Sequence, residues 1–167
     1  MNRWPHITHL AVLFSLAACS STETPAPAAD LPSAFTGAIR LTDFQQAECD
    51  GSPYGDAGAA LRERIEGAVE GRSILASYVG AHFRCAQDVE GFVRTSGSAL
   101  DVLVQPVDMN PAAIARCDCL YRITFSVPVT DGQHVLSLYR RWDHKSGSDQ
   151  PTRIGSLTVE VPPDGGP

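Results

Sequence analysis

The 167-residue sequence predicts a mainly β protein, an antiparallel β-sandwich of about seven strands for which an immunoglobulin-like shape is one candidate. Fourteen glycines and twelve prolines favour many turns over a helical bundle. Apolar and polar residues alternate in segments such as 39–42 and 119–127, and this is the period of a half-buried strand. Turn residues separate the segments, the clearest being Asp131-Gly132 before 134–142.

The strand candidates follow one another along most of the chain. They are 39–42, 74–85, 91–95, 100–107, 119–127, 134–142 and 153–161. The segment 56–71 differs, because its apolar residues recur at helical spacing: Leu61, Ile65, Ala68 and Val69. Gly71 follows at a position typical of a helix C-terminus. We therefore predict one short helix at about 56–71.

The N-terminus has the pattern of an export signal. Arg3 supplies a positive charge, and 10–17 is an apolar run that is too short to cross a bilayer but suits a secretory signal. The run ends in Leu16-Ala17-Ala18-Cys19. Here the sequence resembles a bacterial lipoprotein precursor, whose lipobox reads Leu, two small residues and Cys. The resemblance implies cleavage after residue 18 and fatty acyl chains such as palmitate on Cys19.

The lipoprotein resemblance implies a division of the chain. Residues 1–18 would be the signal peptide, and 19–34 the lipidated cysteine with a flexible tether rich in Pro, Ala and Ser. Residues 35–162 would form the sandwich, and 163–167 a disordered tail. Two or more acyl chains hold a protein stably at a membrane. In lipoproteins of double-membraned bacteria, an Asp after the lipidated residue favours retention in the inner membrane. The resemblance therefore implies an outer-membrane location for this chain, which has Ser20 there.

Four cysteines remain after Cys19: Cys49, Cys85, Cys117 and Cys119. An even number in an exported protein predicts disulfides. The spacing of Cys117 and Cys119 places their side chains on one face of a strand, where a mutual bond would be strained. Two pairings stay open, 49–117 with 85–119 and 49–119 with 85–117. We favour the first, since long flanking strands need only one close crossing between Cys85 and Cys119.

The second half of the chain carries a further resemblance. Cys117-Asp118-Cys119-Leu120-Tyr121 begins a strand similar to the Cys-x-Cys-x-Tyr strand of several families of small bacterial lipoproteins without assigned function. Those families also carry a cysteine in the preceding strand, at a position like that of Cys85. The resemblance implies a β-sandwich ectodomain and no known activity.

One candidate ligand contact stands out. Alternation places Arg140 and Trp142 on one face, where a cation beside an aromatic ring could bind an anionic or glycan ligand. In the alternative interpretation, Trp142 caps the edge of the core and the arginines, Arg140 and Arg141, are solvated.

These patterns favour an envelope lipoprotein with a non-catalytic binding or structural ectodomain, requiring no cofactor, whose partner would be an envelope protein or a glycan. The formal net charge of −6 excludes a generally basic nucleic-acid binder. Two alternatives stay open. Cys117 and Cys119 could handle copper or zinc as thiolates, or a hydrolase site could be scattered in the sequence, for example around Asp143, His144 and Ser146.

Overall fold

The computed structural model describes residues 31–50, 62–107, 117–142 and 150–163, and within these the fold is mainly β, as predicted. A single 3₁₀ turn, Ser33–Phe35, precedes the strands. The nine strands of the described residues are β1 (Ile39–Arg40), β2 (Phe44–Gln46), β3 (Arg64–Glu70), β4 (Ser73–Arg84), β5 (Val89–Ser96), β6 (Ala99–Pro106), β7 (Asp118–Pro128), β8 (Gly132–Arg140) and β9 (Thr152–Val161). An immunoglobulin-like shape stays a prediction.

The strands form two sheets in a sandwich-like arrangement. Sheet A has the order β1-β5-β6-β8-β9 and sheet B the order β2-β7-β4-β3. Neighbouring strands are antiparallel except β6 and β8, which are parallel. The predicted turn at Asp131-Gly132 is confirmed, since Gly132, with a φ of 109°, opens β8; Gly97, with a φ of 58°, closes the β5–β6 hairpin. Both glycines adopt a left-handed backbone that other residues rarely accept.

The core lies between the sheets and follows from the alternation in the longest strands. In β7 every second residue points inward: Cys119, Tyr121, Ile123, Phe125 and Val127. The inner face of sheet A packs against both β7 and β4. Strand β4 pairs with β7 in sheet B and adds Tyr78 and Phe83, both 0% exposed. Because these side chains are large and fully buried, they dominate the hydrophobic stabilisation of the sandwich.

The predicted helix at 56–71 is wrong for the part that the structure describes, because β3 covers Arg64–Glu70. Residues 56–61 lie outside the described residues. The pairing of β3 with β4 requires a glycine at position 67, since a Cβ there would lie 2.6 Å from the Leu75 carbonyl oxygen of β4. Gly71, with a φ of 58°, turns the chain between Glu70 and Ser73, which pair across the β3–β4 hairpin. The glycine that suggested a helix end is therefore a hairpin residue.

A second, smaller core covers the outer face of sheet A. Phe35 packs there on Phe92 and Leu103, and its ring meets that of Tyr139 edge to face at 5.4 Å. Leu31 packs against the same cluster. Residues 31–34, which we predicted to belong to the tether, are therefore part of the domain. Residues 1–30 and 164–167, which include the predicted signal peptide and most of the predicted tether and tail, lie outside the described residues.

Two disulfides join the strands, Cys49–Cys119 and Cys85–Cys117, with Cα–Cα distances of 5.8 and 5.4 Å. The prediction that Cys117 and Cys119 bond to Cys49 and Cys85 is confirmed, but the favoured order is wrong. The register decides the order: the Cys85 N–H donates to the Cys117 carbonyl at 2.9 Å, whereas Cys119 lies opposite Phe83.

Cys49 reaches Cys119 from the other edge of β7. Strand β2 pairs with β7 there, and the chain continues alongside it, the Asp50 N–H donating to the Leu120 carbonyl at 2.9 Å. The described part of the chain contains no helix that is long and apolar enough to cross a membrane.

Candidate functional site

Arg140 ends β8 and turns its side chain towards sheet B. Its Nη1 donates to Glu63 Oε1 at 2.6 Å and to the His82 carbonyl oxygen at 3.4 Å. Glu63 directly precedes β3, and His82 lies in β4. The ion pair therefore links the two sheets through residues that are 77 positions apart in the sequence.

Glu63 accepts three hydrogen bonds through one oxygen. Besides Arg140, the Tyr78 hydroxyl donates to Glu63 Oε1, and the His82 N–H donates to it at 3.3 Å. The β3–β4 ladder reaches only to the pair Arg64↔Val79, after which β4 is interrupted by a register shift around Gly80. Glu63 and Arg140 thus occupy the edge of β4 beyond the end of β3, and they satisfy the backbone N–H and C=O of His82 there.

The cluster is largely removed from water. The Arg140 and Glu63 side chains are 16% and 26% exposed, and Tyr78 is fully buried. Burial, and next to it the negative charge of Glu63, raises the pKa of the Tyr78 phenol far above its ordinary value. Tyr78 therefore stays protonated and serves Glu63 as a hydrogen-bond donor.

Trp142 closes the same end of the site. The Arg140 guanidinium lies 4.9 Å from the centre of its ring, and the Phe83 ring stacks on it at 6.2 Å. The His82 ring meets it at 4.7 Å, and His82 Nε2 lies 3.6 Å from Asp118 Oδ2. The prediction that Arg140 and Trp142 share one face is confirmed.

The alternative interpretation, that Trp142 caps the core and that Arg140 and Arg141 are solvated, is correct in its first part and wrong in its second. Trp142 does lie at the edge of the core, against Phe83. The arginines are not solvated, however, because the Arg140 side chain is 16% exposed and Arg141 is 7% exposed. Arg140 is held by an internal carboxylate, and a ligand contact at Arg140 and Trp142 stays a prediction.

Arg141 belongs to a second polar group, which sequence reasoning missed. Its Nη1 donates to Gln105 Oε1 at 3.4 Å, and Gln105 Nε2 donates to Glu90 Oε1 at 3.2 Å. Glu90 Oε2 also pairs with Arg40 Nη2 at 3.2 Å. This row crosses β1, β5 and β6 and ends just after β8, so it joins four neighbouring strands of sheet A. The sequence did not indicate this group, because its members are far apart in the chain and no local pattern predicts that they are in contact.

The described residues line two clefts, of which the first lies beside the second polar group. One of about 430 Å³ lies where the chain passes from β1 to β2 and is lined by Arg40, Phe44 and Glu90 among others. The other, of about 270 Å³, is lined by residues of two turns and by His134, whose Nε2 lies 2.8 Å from the Thr130 carbonyl oxygen. The first cleft is in the lower part of the size range of ordinary small-molecule sites, and the second is below that range.

The thiolate interpretation of Cys117 and Cys119 is wrong for the folded chain, because both sulfurs are in disulfides and a metal needs deprotonated thiols. Within the described ranges, no three His, Cys, Asp or Glu side chains are grouped as a metal site. Asp143, His144 and Ser146, which carry the hydrolase alternative, lie outside the described residues.

Comparison of the chain with protein-family models, curated proteins and solved structures finds no match.

Proposed function

We propose that this protein is a lipid-anchored lipoprotein of the bacterial cell envelope, located in the outer membrane, whose β-sandwich is a non-catalytic binding or structural ectodomain. The observation that carries the proposal is the motif Leu16-Ala17-Ala18-Cys19 at the end of a short apolar run that follows Arg3. The charge, apolar run and small residues are those of a secretory signal, and with the cysteine they follow the order of the lipoprotein precursors that the sequence resembles.

The disulfides support the exported location. Bonds such as Cys49–Cys119 and Cys85–Cys117 form and persist in oxidising compartments, and they are rare in the reducing cytosol. Every cysteine after residue 19 belongs to one of these two disulfides. Cys19 is therefore the cysteine that remains for lipidation.

The packing of the domain supports anchoring through a short connection. Leu31, the first described residue, packs against sheet A and lies twelve positions after Cys19. A chain of this length reaches at most about 40 Å when fully extended. The sandwich would therefore stay close to the membrane that holds Cys19.

The use of the polar groups supports a non-catalytic role. Glu63 and Arg140 are bound to each other across the sheets, and Glu90 is bound to Arg40 and Gln105 within sheet A. Acidic and basic side chains that are saturated by internal partners stabilise the sandwich and are poorly placed to exchange protons with a substrate. The ligand or partner would then be an envelope protein or a glycan that binds the surface of the domain.

Metabolic labelling with a fatty acid in a bacterial host tests the proposal. The full chain is expected to incorporate the label, and the variant Cys19→Ala is expected to lose it and to accumulate as an uncleaved precursor or a soluble form. The matched control is Ser20→Ala, which leaves the lipidated residue in place and should label normally. Label in Cys19→Ala would overturn the lipid anchor.

Fractionation of the same cells tests the proposed membrane. The unaltered chain should be recovered with the outer membrane, and Ser20→Asp should shift it to the inner membrane. Recovery of both proteins with the inner membrane would refute the outer-membrane assignment.

A further inference from the structure

Strand β9 is a long sheet edge. It pairs with β8 over its whole length, and no residue of the described ranges pairs with its other side. The edges at the opposite ends of both sheets are short, since β1 has two residues and β2 has three. Strand β9 has ten.

The composition of β9 does not protect this edge. Natural sheet edges avoid pairing with other chains by being short, by carrying charges or proline, or by a β-bulge that twists the edge away. The bulge of β9 lies near one end, at Ile154, and the register from Gly155 to Val161 is regular. The neighbouring edge strand β3 carries Arg64, Glu66 and Glu70 within seven residues. In β9, by contrast, the six residues from Ile154 to Val159 include no charge and no proline. Such an edge is a ready template for an added strand.

The only charged residues of β9 lie near its two ends and on one face. Glu160 pairs with Gln133 of β8, and Arg153 pairs with Tyr139. The register skips one residue between them, at Ile154, because Leu138 lies opposite Gly155. Neither Arg153 nor Glu160 forms an ion pair within the described part of the chain.

This spacing is self-complementary. In an antiparallel pair of two β9 strands related by a two-fold axis at Leu157, Thr158 lies opposite Ser156 and Val159 opposite Gly155 of the second copy. Because Ile154 is the extra residue of the bulge, the next pair is Glu160 with Arg153 of the second copy. The symmetry produces this pair twice, so opposite charges meet at both ends of the strand pair.

We propose that two copies of this chain associate through β9, which joins their five-stranded sheets A into one continuous ten-stranded sheet. The hydrogen bonds of the added ladder provide the attraction, and the two Arg153–Glu160 pairs set the register. The association does not depend on the lipid anchor, although confinement to a membrane would raise the effective concentration of the copies.

The molecular mass of the purified full chain in a mild detergent, measured by light scattering with the detergent contribution subtracted, tests the proposal. The expected mass is that of two copies. Glu160→Arg places like charges opposite each other at both ends and should raise the dimer dissociation constant by about tenfold or more. The swapped variant, Arg153→Glu with Glu160→Arg, restores opposite charges and should restore the dimer.

The control variant is Glu70→Arg, which reverses an exposed charge on the neighbouring edge strand β3 and should leave the dimer intact. Circular dichroism and non-reducing gels show that each variant is folded with its disulfides. A single-copy mass at every concentration would overturn the proposal. A dimer that Glu160→Arg does not weaken, or that the swapped variant does not restore, would overturn it as well.

Discussion

Removal of the Glu63 carboxylate should destabilise the sandwich far more than removal of an exposed acid. In Glu63→Ala, the Arg140 guanidinium, the Tyr78 hydroxyl and the His82 N–H all lose their acceptor. Breaking a fully buried ion pair costs about 3–5 kcal/mol, and a buried donor left without a partner costs about 1–3 kcal/mol. Since Glu63 is 26% and Arg140 16% exposed, water replaces part of what is lost. We expect a loss of about 3 kcal/mol in the free energy of unfolding.

The matched control is Glu66→Ala. Glu66 also pairs with an arginine at 2.6 Å, Arg64, but their side chains are 47% and 45% exposed. An exposed pair contributes little, so this variant should lose less than about 1 kcal/mol. Glu63→Gln keeps an oxygen acceptor without the charge and should fall between the two.

Urea unfolding of the purified protein with intact disulfides measures these differences, with the fluorescence of Trp142 as the probe. Trp142 is suited to this because its ring touches Arg140 and Phe83. If Glu63→Ala and Glu66→Ala lowered the free energy of unfolding equally, the argument that Glu63 holds the two sheets together would be refuted.

Three further predictions concern other parts of the sandwich. Replacing Cys85 and Cys117 together by serine should lower the free energy of unfolding by about 3 kcal/mol, measured in urea, and a loss near zero would contradict a stabilising role for this bond. Phe35→Ala should cost about 3 kcal/mol in the same assay because its ring fills the outer cluster of sheet A, and an unchanged midpoint would show that residues 31–38 are not part of the folded unit. Above pH 10.0, the ordinary pKa of tyrosine, the unfolded chain loses the phenolic proton that folded Tyr78 keeps, so stability should fall by about 1.4 kcal/mol per pH unit. Tyr78→Phe should remove this contribution, and an identical pH slope in the variant and the unaltered protein would disprove it.

The mainly β fold was predictable because its longest strands alternate strictly. In β7 the inward positions from Cys119 to Val127 are apolar, and this period alone identified both the strand and its buried face. The segment that became β3 was misjudged because Ile65 and Val69 are four positions apart, which fits one face of a helix and one face of a strand equally well. Pairing with β4 makes this segment a strand, with Gly67 at a close approach to β4 and Gly71 in the hairpin turn.

Features that depend on strand register, or on contacts between residues far apart in the chain, could not be predicted from the sequence. The order of the disulfides depends on which β7 residue lies opposite Cys85, and the strand pattern does not determine that register. The bond between Glu63 and Arg140 joins residues 77 positions apart. For the candidate site, the alternation of residues correctly predicted that Arg140 lies beside Trp142. It did not predict that Arg140 forms an ion pair with Glu63, next to a strand of the other sheet.

The N-terminal residue of the protein recovered from the membrane tests the central claim most directly. Mass spectrometry of the N-terminal peptide should find Cys19 as the first residue, carrying a diacylglycerol and its fatty acyl chains. A mature chain that begins at any other residue, or an unmodified Cys19, would contradict the lipoprotein assignment.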